Sequence, residues 1–433
     1  MSRRALAFAA LLALLGPAAA FAQRGDVTRA RLPNGLTVIV RENPAAPVVA
    51  YSLLVKMGTR TETPDTAGIS NMLQLMLVRG TEKMDGEQIA EAADRMGGSI
   101  DAYGDADYAE ITATALSRNW QPMLELVADV ALRPTLPEGT VAAVRDFIVR
   151  QIRNRGDKPF DVAADRMRAV RFGSHHYAWD PLGRRESVEK LTREVLLAHY
   201  RRQYVPGQMV LAVSGDVKSA AVLAQVQRLF GTLPPANAAP PPPPAPPPMS
   251  ATREVFTVPG AQAQILMAAL TPSFTHPDFA PLKVMTTILG GGMASRFFSD
   301  LRDKQALAYT TAARYPPQMD ASAFVAILGT APDNVPKAEA ALKEHLARIQ
   351  NELASEEEVA VARSYVVGNQ AMDRRTNARQ AWYLGAAELA GVGYEFFDTA
   401  AANVRKVTPA DVQRVARRYL SVLRTVIVQP PPQ

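Results

Sequence analysis

The chain has no cysteine in 433 residues, which excludes a disulfide scaffold, thiol catalysis and any thiolate metal site. Histidine is nearly as scarce: there are five, and none lies between Met1 and Ser174. Any metal site in that stretch would have to do without imidazole. Long apolar runs are also missing. The one candidate, Ala5–Leu15, is shorter than the ~20 residues of a membrane-spanning helix and is followed by Gly16 and Pro17. Blocks of single-sign charge are absent, with Arg and Lys scattered among acids. The formal charge of +6 therefore argues for solubility and gives no case for a nucleic-acid partner.

What is present begins with "MSRRALAFAALLALLGPAAAFAQ". Arg3 and Arg4 form a positive n-region, Ala5–Leu15 an apolar run, and Ala20-Phe21-Ala22 a small-residue cleavage site. Residues 1–22 are expected to be a cleaved signal peptide, leaving a periplasmic mature chain with no membrane anchor. Taking the two charges of Arg3 and Arg4 from the formal +6 leaves +4. A hydrophobic content of 48% with 21% charged residues is that of ordinary globular domains.

The chain is punctuated once, by "PPANAAPPPPPAPPP" at Pro234–Pro248. This composition favours extended polyproline II and cannot pack a core, so 234–250 is expected to be a semi-rigid linker. The two sides of it repeat each other. "SVEKLTREVLLAHYRRQYVPGQMVLAVSG" from Ser187 answers to "NVRKVTPADVQRVARRYLSVLRTVIVQP" from Asn403, with Thr192 and Thr408 as matching N-cap candidates. "PEGTVAAVRDFIVRQ" from Pro137 answers to "SEEEVAVARSYVVGN" from Ser355. Two matches in the same order imply a duplication, with units at 23–233 and 251–433. Apolar strands at Leu36–Glu42 and Val48–Gly58, a strand pair through Ser99–Leu116, and helices near Gly68–Thr81, Gly86–Met96, Trp120–Leu132 and Val141–Ile152 follow without regular βαβ alternation. The expected fold is α+β: two homologous domains, each a mostly antiparallel sheet with helices packed on one face.

"RLPNGLTVIVRENPAAPVVAYSLLVKMGTRTETPDTAGISNMLQLMLVRGTEK", "GGSIDAYGDADY" and "HHYAWDPLG" resemble the N-terminal domain of the pitrilysin, insulinase and mitochondrial processing peptidase family, and the resemblance covers nearly all of the mature chain. Active members carry His-x-x-Glu-His on the helix after the glycine. Histidines at i and i+4 share a helix face and hold zinc, while the glutamate is the base for the zinc-bound water. A later glutamate completes the ligand set. Laid on this pattern, the histidine places hold Asn71 and Leu75, the base is Gln74, and the later glutamate falls on Gln151. An amide is no base, and an aliphatic side chain has no lone pair. The chain alone is expected to bind no catalytic zinc and to cleave no peptide. His175 and His176 are read as capping or packing residues, and His199, His276 and His345 as single residues on helices or turns without a paired ligand at metal spacing.

The resemblance keeps another feature. "LGGGMASRFFSDLRDKQALAYTTAARY" matches the family's second half, where an arginine and a tyrosine at the places of Arg302 and Tyr309 bind the substrate backbone near the scissile bond. "SIDAYGDADY" resembles the family's edge strand, with Ala102 retained and Asp101 in place of the usual asparagine; an edge of this kind can take a peptide as an added strand. What the resemblance implies is the non-catalytic subunit of an exported two-chain zinc metallopeptidase. It would supply Arg302, Tyr309 and half of the peptide chamber to a zinc-bearing homologous subunit, with peptides as substrates. The alternative from another class is a stand-alone peptide-binding or scaffolding pseudoenzyme.

Overall fold

A computed structural model of the chain describes residues 22–24, 27–236, 245–247 and 250–431. The expected signal segment, apart from Ala22, and much of the proline-rich linker lie outside them. The first half forms a seven-stranded sheet from β1 (Ala22–Arg24), β2 (Val27–Arg31), β3 (Thr37–Glu42), β4 (Val48–Val55), β5 (Ser99–Gly104), β6 (Ala109–Leu116) and β7 (Met209–Gly215). Its order is β1-β2-β3-β7-β4-β6-β5. The second half forms a five-stranded sheet from β8 (Thr252–Thr257), β9 (Ala263–Thr271), β10 (Thr310–Arg314), β11 (Ser322–Thr330) and β12 (Arg424–Gln429), in the order β10-β11-β9-β12-β8. Read from its other edge, the second order is that of β3-β7-β4-β6-β5. In each sheet one pair is parallel, β3 with β7 and β8 with β12, and the remaining pairs are antiparallel. The duplication seen in the sequence is therefore a duplication of topology.

Local chemistry explains why these segments take these shapes. β7 and β12 are nearly continuous β-branched and aliphatic runs because both lie inside a sheet, covered on two faces. Each follows a capped helix. Thr192 accepts a hydrogen bond from the Val195 amide at the start of Arg193–Gln203, and Thr408 accepts one from the Asp411 amide at the start of Pro409–Tyr419. Most of each half's helices pack on one face of its own sheet. In the first half Ile69–Leu77, Trp120–Leu132, Glu138–Gly156 and Ser219–Phe230 contribute buried side chains to one continuous core with β3, β4, β6 and β7.

The opposite face of each sheet is covered by a helix from the other half. Asn377–Leu389 places Ala381 and Leu384 against Ile39, Leu54, Val210 and Ala212 of the first sheet. Reciprocally, Pro159–Phe172 places Ala163 and Met167 against Leu266, Ala268, Val426 and Val428 of the second. The approach is close enough that a Cβ on Gly385 would lie 2.7 Å from Leu54 Cδ1. Polar ties follow the same route: Arg29 Nε donates to Glu388 at 2.9 Å, and Asn43 Nδ2 to Asn377 Oδ1 at 2.8 Å. The two units are homologous in topology but are not separate bodies on a string.

Candidate functional site

The helix Ile69–Leu77 starts at Gly68, whose φ of 95° suits glycine, and a Cβ there would come within 2.6 Å of the Leu182 carbonyl oxygen. Its first amides are held by a carboxylate from outside the helix. Glu62 accepts from the Gly68 and Ser70 amides and from Trp179 Nε1, each at 3.0 Å. Burial pushes the Glu62 pKa up, and these three bonds oppose that shift. One turn later Gln74 is fully buried. Its Oε1 accepts from the Tyr204 hydroxyl at 2.9 Å, and its Nε2 faces Met57 Sδ at 3.8 Å. Leu75 is partly buried against the main core. Asn71 is partly buried, and its Nδ2 has no hydrogen-bond partner. Gln151, also partly buried, sits on Glu138–Gly156, which packs against this helix. The four positions offer amides and an aliphatic side chain, with neither imidazole nor carboxylate among them. That donor set does not fit a catalytic zinc ion. The helix has instead become core.

The same helix is tied to a histidine. His199 Nε2 lies 3.3 Å from Ser70 Oγ, and burial pushes His199 down to about 4. A histidine depressed in the folded state binds its proton first in the unfolded chain. Stability is therefore expected to be full above pH ~6.5 and to fall as the pH drops toward 4, by roughly 3 kcal/mol in all. Urea unfolding of wild type and His199→Gln between pH 7 and 4.5 checks this. An equal slope in both would refute it.

β5 is an outer strand of the first sheet and lies across the helix; a Cβ on Gly104 would lie 3.2 Å from Asn71 Cα. Ala102 is where the edge-strand resemblance puts it, but its side chain is buried and its amide donates to Asp101 Oδ1 at 2.8 Å. Any contact of Ala102 with a ligand would be through its backbone.

Arg302 and Tyr309 stand on a platform in the other half. Phe297–Lys304 is a π-helical turn, continued by Gln305 N donating to Asp300 O at 2.9 Å. Its inward residues Phe297 and Leu301 are fully buried. Arg296 forks onto Glu358 at 2.7 and 3.0 Å, and His345 meets Asp300 at 2.8 Å, so the turn is anchored on both sides. Ala306, between the pair, has a φ of 52°, a left-handed conformation uncommon outside glycine. π-Turns and such outliers concentrate at functional sites. The two side chains point away from this anchor. Tyr309 is 58% exposed, and the Arg302 guanidinium lies 4.8 Å from the Phe298 ring centroid. Among the described residues Arg302 has neither a hydrogen bond nor an ion pair.

A contact that the sequence did not reveal joins the halves. His175 and His176 meet Asp320, with one ligand-capable atom from each inside a span of 4.8 Å. His175 Nδ1 accepts from the Tyr177 amide at 3.2 Å, a capping role. His176 Nε2 lies 3.4 Å from Asp320 Oδ2, but burial pushes His176 down to about 2, so this is not an ion pair. The Asp320 carboxylate is already approached by Arg60 Nη2 at 3.3 Å, and Arg60 also meets Asp107. Met319 N donates to Asp107 Oδ2 at 2.9 Å, and the Tyr177 hydroxyl donates to the other oxygen of that carboxylate. The group is a buried seam in which arginine already fills the cationic place.

Residues 37–179 match the insulinase family of peptidases (peptidase family M16), and residues 190–366 match the peptidase M16 inactive domain. The chain is similar to an uncharacterized zinc protease of Mycobacterium leprae, 27% identical over 92% of this chain and 91% of that protein. It is also similar to one of Bacillus subtilis, 24% identical over 79% of this chain and 83% of the other. Among solved structures, a protease from Helicobacter pylori superposes with a TM-score of 0.87 at 21% identity, covering 93% of this chain and 99% of that one. A peptidase M16 inactive domain from Pseudomonas fluorescens gives 0.87 at 22% identity, covering 94% and 99%. These structural likenesses establish the two-sheet α+β fold. The match that carries the words "inactive domain" starts at residue 190, so it does not reach Asn71, Gln74, Leu75 and Gln151, whose poor fit to zinc is argued from their own chemistry.

Proposed function

The chain belongs to the insulinase family of peptidases, M16, and we propose that within it this chain is the non-catalytic subunit of an exported, two-chain zinc metallopeptidase. The carrying observation is the contrast between two sites. The metal-site positions hold residues that cannot ligate zinc, and Gln74 is built into the core. Arg302, on an anchored turn, and Tyr309, just beyond it, are exposed, and among the described residues neither side chain has a hydrogen bond or an ion pair. A guanidinium fork and a phenol hydroxyl are donors suited to a substrate carbonyl that gains negative charge during attack. The attack itself would take place on a zinc-bearing homologous subunit, which supplies the metal and the base, with this chain providing Arg302, Tyr309 and half of the peptide chamber. The leader-like sequence at residues 1–22 supports a periplasmic location.

Mixing the purified chain with a zinc-bearing homologue from the same organism tests the proposal. Peptide hydrolysis is expected to rise above that of either chain alone. Arg302→Ala or Tyr309→Phe in this chain should lower kcat/KM of the pair on the order of 10²-fold, the scale of losing one transition-state donor. No rise with any exported zinc-bearing homologue of that organism would sink the idea. The second reading, a stand-alone peptide binder, draws support from the cavity of about 730 Å³ between the halves. Saturable peptide binding by the chain alone, indifferent to Arg302→Ala, would favour it.

A further inference from the structure

The cavity between the halves has walls of unequal charge. The first half contributes the helix Pro159–Phe172 and the segment around Tyr177–Pro181, and the second half contributes Lys283, Tyr315 and Tyr365 among others. Of its four arginines, Arg155 and Arg168 are ion-paired, although Arg168 Nε has no hydrogen-bond partner among the described residues, and Arg314 is exposed. Arg155 Nη2 lies 2.8 Å from Asp165 and 3.3 Å from Asp180, with Asp161 at 3.5 Å from Nη1, while Arg168 Nη2 lies 2.6 Å from Asp180. The remaining acid of the wall, Asp105, is exposed and accepts from the Ala106 amide at 2.6 Å.

Arg171 is different. It is only 6% exposed, its Nε is buried with no hydrogen-bond partner, and no carboxylate pairs with it among the described residues. Its one charge-related contact is the face of Phe172, 4.2 Å from Cζ to the ring centroid. Burial, with Arg168 nearby, pushes Arg171 down to about 9, so it is still a cation at neutral pH. Lys283, on the same cavity, donates among the described residues only to the Tyr315 carbonyl, at 3.4 Å, and burial lowers its pKa as well.

A buried charge without a partner is among the costliest groups a fold can hold. Water in the cavity hydrates it but does not neutralise it. A methionine would fill the same path along Phe172 without that cost. A cation kept under these conditions is a site waiting for an anion, and a guanidinium fork matches the two oxygens of a carboxylate. The volume, about 730 Å³, is in the range of small-ligand sites, and Tyr177, Trp179 and Met167 add apolar surface beside the charges. We propose that this cavity binds a carboxylate-bearing ligand, with Arg171 as the fork and Lys283 as the second cation. The carboxylate is either the C-terminus of a short peptide or that of a small organic acid.

The test uses the full chain and three probes: trialanine with a free C-terminus, C-terminally amidated trialanine, and citrate. Calorimetric titration is expected to show saturable binding of at least one free-acid probe and at least about tenfold weaker binding of the amide. Trialanine without citrate identifies the peptide source, and citrate without trialanine the small acid. Arg171→Met should lose the binding at least tenfold while raising Tm in the absence of ligand, because it removes an unpaired buried charge. Lys283→Met should weaken binding in a chain that keeps its Arg171. Retained binding in folded Arg171→Met, equal binding of the amidated peptide, or no response to any probe at about 1 mM would overturn the proposal.

Discussion

Gln74→Glu, the change that restores the family's base, is expected to destabilise the chain by about 3 kcal/mol at pH 7 and by almost nothing near pH 4. Gln74 is fully buried, with Met57 sulfur on one side and the Tyr204 hydroxyl on the other, and none of its bonds is to a cation. A carboxylate placed there is driven to keep its proton. In that form it has nearly the shape of glutamine and can still accept from Tyr204. The folded pKa is therefore raised above the unfolded value of ~4.3, so the folded state holds more protons between the two values. Unfolding free energy then falls as pH rises through that window. Tyr204 returns part of the loss by donating to the charge, which keeps the figure near 3 rather than 4 kcal/mol. Gln74→Leu makes the contrast. It orphans the Tyr204 hydroxyl for about 1–2 kcal/mol at every pH. Urea unfolding of both variants at pH 5 and 7.5 separates the cases, and a pH-independent Gln74→Glu would mean that water reaches the site. The result bears on the helix itself: Gln74 is part of the core, and a carboxylate there meets no cation.

Much of this was legible in the chain. β-branched runs at Thr37–Glu42 and Val48–Val55 and the Thr192 and Thr408 caps are local signals, and local signals survive folding. The positions Asn71, Gln74, Leu75 and Gln151 came from the family resemblance, and the residue types there are plain in the sequence. The Arg302–Tyr309 pair was put forward because a whole segment resembles the family, and that segment gave no sign of the π-turn and the left-handed Ala306 that the structure shows there. The helix exchange left no local trace. Ala163 and Met167, like Ala381 and Leu384, mark a buried helix face, and periodicity tells that a face is buried without telling by which sheet. Arg171 was invisible for a related reason. In "DRMRAVRF" three arginines look alike; Arg168 has Asp165 three residues back on the same helix, but only tertiary packing decides that Arg171 is buried against Phe172 with no carboxylate beside it among the described residues.

Residues 23–236 produced alone are expected to lack a cooperative unfolding transition, and producing them together with 250–433 should restore it. Without Asn377–Leu389, the first sheet loses the cover over Ile39, Leu54 and Val210, each now fully or nearly buried. Exposing three such side chains costs roughly 1.5–3 kcal/mol each. That alone approaches the 5–15 kcal/mol on which a whole domain stands. Arg29 and Asn43 would lose Glu388 and Asn377 as partners at the same time. The second sheet loses Ala163 and Met167 by the same argument. Cutting the intact protein inside 234–250 is a different operation. It leaves both exchanged helices on their sheets, so the nicked chain should elute as one particle and melt within a few degrees of the uncut form. Size-exclusion chromatography and thermal melts of the lone half, the co-produced halves and the nicked chain give the three readings. A lone first half that melts sharply as a monomer would show that the exchanged helix is an accessory. A nicked chain that falls apart would show that the linker itself holds the halves. The expected pattern makes the exchanged helices the bond between the halves and leaves the proline-rich segment as the tether that keeps their partners within reach during folding.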